Sequence, residues 1–143
     1  MAASVKFIIG LAGVMLMGWL HHGPLGHGAR FVDGLEAGAR TAVAAAEVPG
    51  VDVRLGHDPL SRRATLSGPA NDFQREGMGE FPGIDDRVAV IEGISGTQWA
   101  DEGDLGAGVP LLVESLALIL VAYLAGVGIA WLLFGRPRRD GYL

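Results

Sequence analysis

Two apolar runs of membrane length enclose everything else in this chain of 143 residues. The first extends from Val5 to Leu20 and the second from Leu111 to Phe134. As a helix, the second run would be about 36 Å long, which is enough to cross a bilayer with some tilt. The roughly 90 residues between the runs are mostly polar and suffice for one small domain. The sequence therefore predicts a domain held at a bilayer surface by two membrane helices.

Charge is distributed unevenly between the middle and the ends of the chain. Residues 21–110 contain 7 arginines and 14 acidic residues, a net charge of −7. The basic residues at the ends are Lys6, Arg136, Arg138 and Arg139. Basic residues collect on the cytoplasmic side of membrane proteins, so we expect both termini, including the tail 135–143, in the cytoplasm. The central domain would then be periplasmic in a bacterial inner membrane, and its acidity argues against nucleic acid as a partner.

The first apolar run is compatible with two interpretations. Lys6 at its start and Gly26-His27-Gly28 after it resemble a secretory signal with a small-x-small cleavage site. We instead expect an uncleaved anchor over residues 5–22. Lys6 can reach one membrane interface, while Trp19 and two histidines lie at the other.

Small residues in both runs favour close packing against other membrane helices. In the second run they recur at every fourth residue and so form one helix face. The predicted packing positions are Gly10, Gly13, Gly18, Ala122, Gly126 and Ala130. The alternative is that glycine and alanine are simply common in membrane helices.

The first half of the central domain, which we place at residues 29–101, predicts a helix followed by a hairpin. Apolar residues at a period of 3.6 predict a helix over residues 31–47. Its apolar stripe consists of Phe31, Leu35, Ala39, Ala42, Val43 and Ala46. Residues 51–55 alternate apolar and polar side chains, and residues 63–68 read as the strand that pairs with them. The turn between these strands is expected at residues 56–59.

The second half of the domain is less regular. Residues 71–83 are expected to be mostly loop, because their glycines and Pro82 weaken a helix that Asn71 could cap. Residues 85–92 fit either a helix, from the spacing of Val88 and Ile91, or a strand, from their β-branched content. We prefer the helix, followed by a last strand over residues 93–99.

Three short motifs follow one another in this domain: Val48–Leu55 with its PGV junction, Ala64–Pro69 with TLSG, and Glu92–Ile94. Together with the order helix–strand–strand–helix–strand, they resemble a BON domain between about residues 31 and 99. BON domains are small αββαβ modules of bacterial periplasmic and membrane-associated proteins. The resemblance implies an α+β fold and a binding or scaffolding role without catalytic residues. The chain departs from the family pattern at Phe73–Gly83, where a regular helix would normally begin.

Few residues suggest chemistry. The chain has no cysteine, which excludes disulfides, thiol nucleophiles and cysteine-ligated metals. His21 and His22, with His27 nearby, are either polar anchors at the membrane interface or axial ligands of a haem or pigment. We favour anchors and expect no cofactor, no metal and no enzymatic activity, since no phosphate-binding loop, serine elbow or HExxH motif is present.

Acidic residues and one tryptophan near the second run also have two interpretations each. Glu114 is the one acidic residue inside either apolar run, and it is either a solvated or partner-paired residue at the helix end or an intramembrane contact. Asp101, Glu102 and Asp104 are either a weak cation site or a hydrated linker. Trp99 is either a core or interface plug, which we expect, or a platform for a ligand.

These features together predict a non-catalytic accessory subunit of a multi-subunit bacterial inner-membrane complex, respiratory or photosynthetic. Its helices would pack against other integral membrane subunits and lipid, and its acidic domain would clamp the outer face of a partner rich in Arg or Lys. One alternative is a free-standing envelope protein that binds lipid or cell wall through its BON-like domain. Another is a pigment- or haem-binding subunit that uses His21 or His22.

Overall fold

The structure is a computed structural model that describes residues 3–103, 106 and 108–135. Two long apolar helices, α1 (Ala3–His22) and α5 (Leu111–Phe134), flank a small α+β domain. Both helices are long and apolar enough to cross a membrane. The arginines of the C-terminal tail, on which the predicted orientation depends, lie outside the described residues.

The domain between these helices consists of a three-stranded sheet, a short two-stranded ribbon and three helices. Its elements are α2 (His27–Ala44), β1 (Asp52–His57), β2 (Leu60–Ser67), α3 (Asp72–Glu76), β3 (Gly77–Met78), β4 (Phe81–Pro82), α4 (Ile84–Ala89) and β5 (Gly96–Trp99). In the sheet, β2 is central, with β1 antiparallel on one side and β5 parallel on the other. The parallel pairing requires a crossover, which the chain makes through α3, the ribbon and α4.

The core lies between the sheet and the helices α2 and α4. Its fully buried side chains include Val32, Val53, Leu66, Ile84, Val88 and Trp99. Trp99 is 1% exposed and so plugs the core as predicted. Leu111 of α5 also belongs to this core, so the first turn of the apolar C-terminal helix is packed into the domain.

The helix predicted over residues 31–47 is displaced toward the N-terminus. It begins at His27, after Gly26 in a left-handed conformation, and ends at Ala44. Ala39 and Val43 are buried as the stripe requires, but Phe31 is 46% exposed and Val32 fills the core position instead. The stripe was therefore wrong at its first member, because Phe31 lies beside α1 rather than over the sheet.

The hairpin is longer than predicted at its closed end. Residues 56 and 57, expected in the turn, continue β1, and β2 already begins at Leu60. The turn is reduced to Asp58-Pro59, whose peptide bond is cis. The pairing shifts between Leu55 and His57, as in a β-bulge. Because a bulge interrupts the alternation of apolar and polar residues, the sequence pattern did not predict the last residues of β1.

The prediction that residues 71–83 are mostly loop is wrong. Asn71 caps α3 through a capping box in which its side chain accepts from the Gln74 backbone N–H and the Gln74 side chain accepts from the Asn71 N–H. The chain then folds back as the ribbon β3–β4. Gly77 has a φ of 76° and abuts the backbone of Phe81, so a glycine that argued against a helix instead permits this reversal.

The region at residues 85–92, which fitted either a helix or a strand, contains a helix. It is α4, which ends at Ala89 rather than Glu92, and Ile84 and Val88 are its buried positions. The last strand begins at Gly96 rather than Gly93. Residues 93–95 lead into it, and Ser95 N–H donates to the Arg62 carbonyl.

The sheet gives the domain two distinct ends. The membrane end comprises the start of α2, the start of β2 and the entry into α5, where Ser61 bridges to Pro110. The distal end, at the far side of β2, comprises the end of α2, α3 and the ribbon. The eight residues of β2 separate the two ends by about 26 Å.

Candidate functional site

At the membrane end, α1, α2 and α5 enclose an apolar groove of about 880 Å³. We call it the interhelical groove. Its lining comes from Gly13, Val14, Met17, Gly18, His21, His22, His27, Gly28, Phe31, Leu111, Ser115 and Ile119. Apolar side chains from both long helices form most of the wall, and the three imidazoles lie together at the end nearest the domain. Its volume is in the range of about 300–1,000 Å³ typical of small-molecule sites.

The structure brings His21 and His22 together with His27, which sequence reasoning noted but did not assign. The His21 and His27 rings stack with their centroids 4.1 Å apart and their planes 6° apart. His22 packs against Gly28, where an added Cβ would lie 2.7 Å from the imidazole. His21 and His22 lie in the last turn of α1, and His27 lies in the first turn of α2.

Arg30 supplies the fixed positive charge beside the groove. Its guanidinium donates to the Gly26 and Leu25 carbonyl oxygens and lies 3.2 Å from His27 Nδ1. Desolvation, with smaller contributions from His21 and Arg30, lowers the pKa of His27 below its ordinary value. A lowered pKa keeps this imidazole neutral at pH 7, so Arg30 remains the charged member of the cluster.

Glu114, the acid at the start of α5, is paired within the chain. Arg62 Nε donates to Glu114 Oε2 at 2.7 Å, and Arg62 Nη1 donates to the Gly93 carbonyl at 2.9 Å. Both side chains are less than one third exposed. The pair therefore links the membrane helix to the sheet and to the loop before β5, and its hydrogen bond raises the pKa of Arg62.

The two apolar helices pack as an antiparallel hairpin. Tyr123 Oη donates to the Phe7 carbonyl at 2.7 Å near one end, and the two rings lie 5.4 Å apart. Near the other end, Gly18 faces Ile119 and Leu116. An added Cβ would lie 2.6 Å from Tyr123 Oη at Gly10 and 2.5 Å from Ile119 Cδ1 at Gly18, so both glycines permit this close approach.

The other predicted packing residues lie away from the helix–helix contact. An added Cβ at Gly13 or Gly126 would meet nothing within 4 Å, and Ala122 and Ala130 are exposed. Gly13 faces the interhelical groove. The small-residue face formed by Ala122, Gly126 and Ala130 is thus open within this chain, and its role in packing against a further helix stays a prediction.

The distal end carries exposed apolar side chains that the sequence did not single out. Phe73 is 50% exposed, Met78 69% and Phe81 71%. Phe73 and Phe81 line one small hollow, and Met78 pairs with Phe81 across the ribbon. We call these three residues the distal apolar patch. The exposed acids Asp72 and Glu76 lie on α3, Glu80 in the turn between β3 and β4, and Asp86 on α4.

Behind the patch, Arg75 connects three elements. It donates to both carboxylate oxygens of Asp101 at 2.9 and 2.7 Å, and its guanidinium lies 4.2 Å from the centroid of the Trp99 ring. The hydrogen bonds from Arg75 lower the pKa of Asp101. Asp101 therefore lies at the distal end and pairs with Arg75. By sequence alone it groups with the acids near the second apolar run.

Asp85 is a partly buried acid at the start of α4. Burial raises the pKa of its carboxyl, and the nearby indole N–H of Trp99 partly opposes that rise. The contact is not a hydrogen bond of standard geometry, since Asp85 Oδ1 and Trp99 Nε1 are both buried without a partner among the described residues.

The most thoroughly buried acid, Glu36, was missed by the sequence reasoning. Its Oε2 accepts from the Leu55 backbone N–H at 2.9 Å and from His57 Nε2 at 3.0 Å, and Oε1 accepts from Arg40. Burial pushes the pKa of Glu36 upward, but these hydrogen bonds outweigh burial and lower it overall. Glu36 thus satisfies the bulged edge of β1, which indicates a structural role.

Within residues 3–103, 106 and 108–135, no group of three or more His, Asp or Glu side chains could hold a metal ion. Comparison with protein-family models, with curated proteins and with solved structures finds no match to this chain. The BON-like resemblance stays a prediction.

Proposed function

We propose that this protein is a non-catalytic accessory subunit of a multi-subunit bacterial inner-membrane complex. Two helices would anchor it in the bilayer with both termini in the cytoplasm. Its periplasmic domain would clamp a neighbouring subunit through the distal apolar patch. A BON domain, which the sequence resembles, would fit such a binding role, although this domain adds α3 and the β3–β4 ribbon to the αββαβ order.

The observation that carries this proposal is the distal apolar patch itself. Two-stranded ribbons are at best marginally stable alone, yet β3–β4 presents Met78 and Phe81 to solvent at the distal end of the domain. Aromatic residues and Met are enriched at protein interfaces, and contiguous exposed apolar surface marks such sites. Burying Phe73, Met78 and Phe81 against a partner would remove this exposure.

The charge around the patch indicates the chemistry of the partner. The exposed acids Asp72, Glu76, Glu80 and Asp86 lie on α3, in the β3–β4 turn and on α4. Arg75 is paired with Asp101, and Arg87 lines the hollow with Phe73 and Phe81, so four exposed acids face one exposed arginine in this part of the chain. A complementary surface would present apolar residues at its centre and Arg or Lys at its rim. Such a partner matches the acidic balance of the whole domain.

The attachment of the domain to its helices supports a clamp rather than a tethered binding module. Leu111 is part of the domain core, and Glu114 is held by Arg62. The first turn of α5 is therefore fixed to the sheet. A domain fixed in this way holds its distal end about 26 Å from the membrane end. Such a fixed distance suits a subunit that binds its partner at one level above the bilayer.

The membrane hairpin supports incorporation into a larger assembly. The close packing of Gly10 and Gly18 against α5 favours a retained anchor over a cleaved signal. On α5, the face formed by Ala122, Gly126 and Ala130 has room for another helix. Together, the hairpin and the patch offer one contact inside the bilayer and one outside it.

Purification in mild detergent from native membranes tests the proposal. We expect the full chain to co-migrate with fixed stoichiometry with integral membrane subunits whose periplasmic surface is basic. The double variant Met78→Gln/Phe81→Gln should lose these subunits, and Gly126→Leu should weaken the association. Val90→Gln is the matched control, because Val90 is 81% exposed but lies at the end of α4, away from the patch.

Two results would overturn the proposal. One is that the patch variant retains its partners as well as the control does. The other is that the wild-type chain purifies alone and binds lipid vesicles or cell wall through its domain, which would favour a free-standing envelope protein.

A further inference from the structure

The interhelical groove is apolar along its wall and polar at one end, and the proposed clamp does not involve it. Its apolar wall is formed by Val14, Met17 and Ile119, which belong to the two membrane helices. Its other end is polar and lies where α1 leaves the bilayer. An occupant of this groove must therefore be apolar along most of its length and polar at one end.

The polar end of the groove favours a negative charge. The Arg30 guanidinium has no carboxylate within 4.0 Å among the described residues, although it donates to two carbonyl oxygens. Asp33, the nearest acid along α2, lies instead toward His57, 3.9 Å from its Nδ1. The first turn of α2 contains no acidic residue, so the positive end of its dipole adds to the same potential.

We propose that the interhelical groove binds one anionic phospholipid. One acyl chain would lie between α1 and α5, and the headgroup phosphate would lie beside Arg30, within reach of the three imidazoles. Neutral His27 can donate a hydrogen bond to phosphate without carrying charge. This inference does not depend on the clamp, since the groove belongs to the hairpin and the membrane end alone.

A lipid explains the groove better than a metal-centred cofactor does. His21 is engaged in stacking with His27, and His22 is packed against Gly28. The α1 lining from Gly13 to His22 spans about 14 Å at helical rise, which is close to the thickness of one hydrocarbon leaflet.

Gly13 offers a direct test, because it lines the groove and has no neighbour within 4 Å of an added Cβ. Gly13→Leu would place a branched apolar side chain in the groove, starting from a Cβ that meets no atom within 4 Å. Gly128→Leu is the matched control, since Gly128 also has open space around it but does not line the groove. Native mass spectrometry of the delipidated full chain, incubated with phosphatidylglycerol or phosphatidylcholine, gives the bound fraction.

We expect one phosphatidylglycerol per chain in the wild type and in Gly128→Leu, and loss of this species in Gly13→Leu. Arg30→Gln should reduce the preference for phosphatidylglycerol over phosphatidylcholine by about fivefold, and Arg30→Lys should keep it. Equal retention in Gly13→Leu and Gly128→Leu, an absent preference in the wild type, or a native preparation carrying a stoichiometric quinone or tetrapyrrole would each overturn the proposal.

Discussion

Replacing Glu36 with alanine is expected to loosen strand β1 locally by about 2 kcal/mol. The carboxylate accepts from the Leu55 N–H, from His57 and from Arg40. The substitution leaves the Leu55 N–H without a partner inside the domain. A buried donor left unsatisfied costs about 1–3 kcal/mol, and the loss of Arg40 pairing adds little because that side chain is 55% exposed.

Amide hydrogen exchange is the appropriate assay, because it reports the opening of single strands. A loss of about 2 kcal/mol corresponds to roughly 30-fold faster exchange of the Leu55 amide. Asp33→Ala is the matched control on the same helix. The Asp33 side chain is 63% exposed, and its distance of 3.9 Å from His57 Nδ1 is long for an ion pair. Its removal should therefore change the exchange rate of the Leu55 amide by less than about threefold.

The same group predicts how the stability of the domain depends on pH. The pKa of Glu36 is lower in the folded state than its ordinary value, so the carboxylate stabilises the domain at neutral pH. This contribution is present above the ordinary pKa of a glutamate and is lost as the pH falls through the lowered folded value. Glu36→Gln should remove this part of the acid sensitivity. Unchanged Leu55 exchange in Glu36→Ala would refute the reasoning.

Two further predictions concern the membrane end. A double-mutant cycle with Arg62→Ala and Glu114→Ala, followed by thermal unfolding in detergent, should give a coupling energy of about 1 kcal/mol; additive single effects would show that the pair does not connect α5 to the sheet. Gly18→Leu should lower the unfolding midpoint by forcing α1 from Ile119, at a cost of about 1–3 kcal/mol, whereas Gly128→Leu should leave it unchanged. Equal midpoints for the two leucine variants would contradict the hairpin packing.

The elements that could be predicted from sequence are those defined by long or regular patterns. The second apolar run was predicted at Leu111–Phe134, which are the bounds of α5. The helix at residues 85–92 could be found because its buried positions are spaced by one helical turn. These patterns lie within one segment of the chain, so they predict an element without knowledge of the rest of the fold.

Features that depend on distant partners could not be predicted in the same way. Phe31 and Val32 are equally apolar, and only the position of α1 decides which one faces the sheet. From the sequence, Glu36 is expected to face solvent, because its hydrogen-bond partner, the Leu55 N–H, belongs to a strand 19 residues later. The pairing of Arg62 with Glu114 spans 52 residues of sequence.

One error could have been avoided from the sequence. Asn71 and Gln74 have the spacing of a capping box, which predicts a helix at Asp72 despite the glycines that follow. Gly77 and Gly79 then belong to a chain reversal rather than to a broken helix. The distal apolar patch follows from that reversal, because it places Met78 opposite Phe81.

The sidedness of the membrane hairpin can be measured directly, because the chain has no cysteine of its own. Single variants Glu80→Cys at the distal end and Ser4→Cys at the start of α1 would be treated with a membrane-impermeant maleimide in spheroplasts. We expect Glu80→Cys to be labelled in intact spheroplasts and Ser4→Cys only after lysis. Labelling of Ser4→Cys before lysis, with Glu80→Cys protected, would contradict a periplasmic domain and with it the proposed clamp.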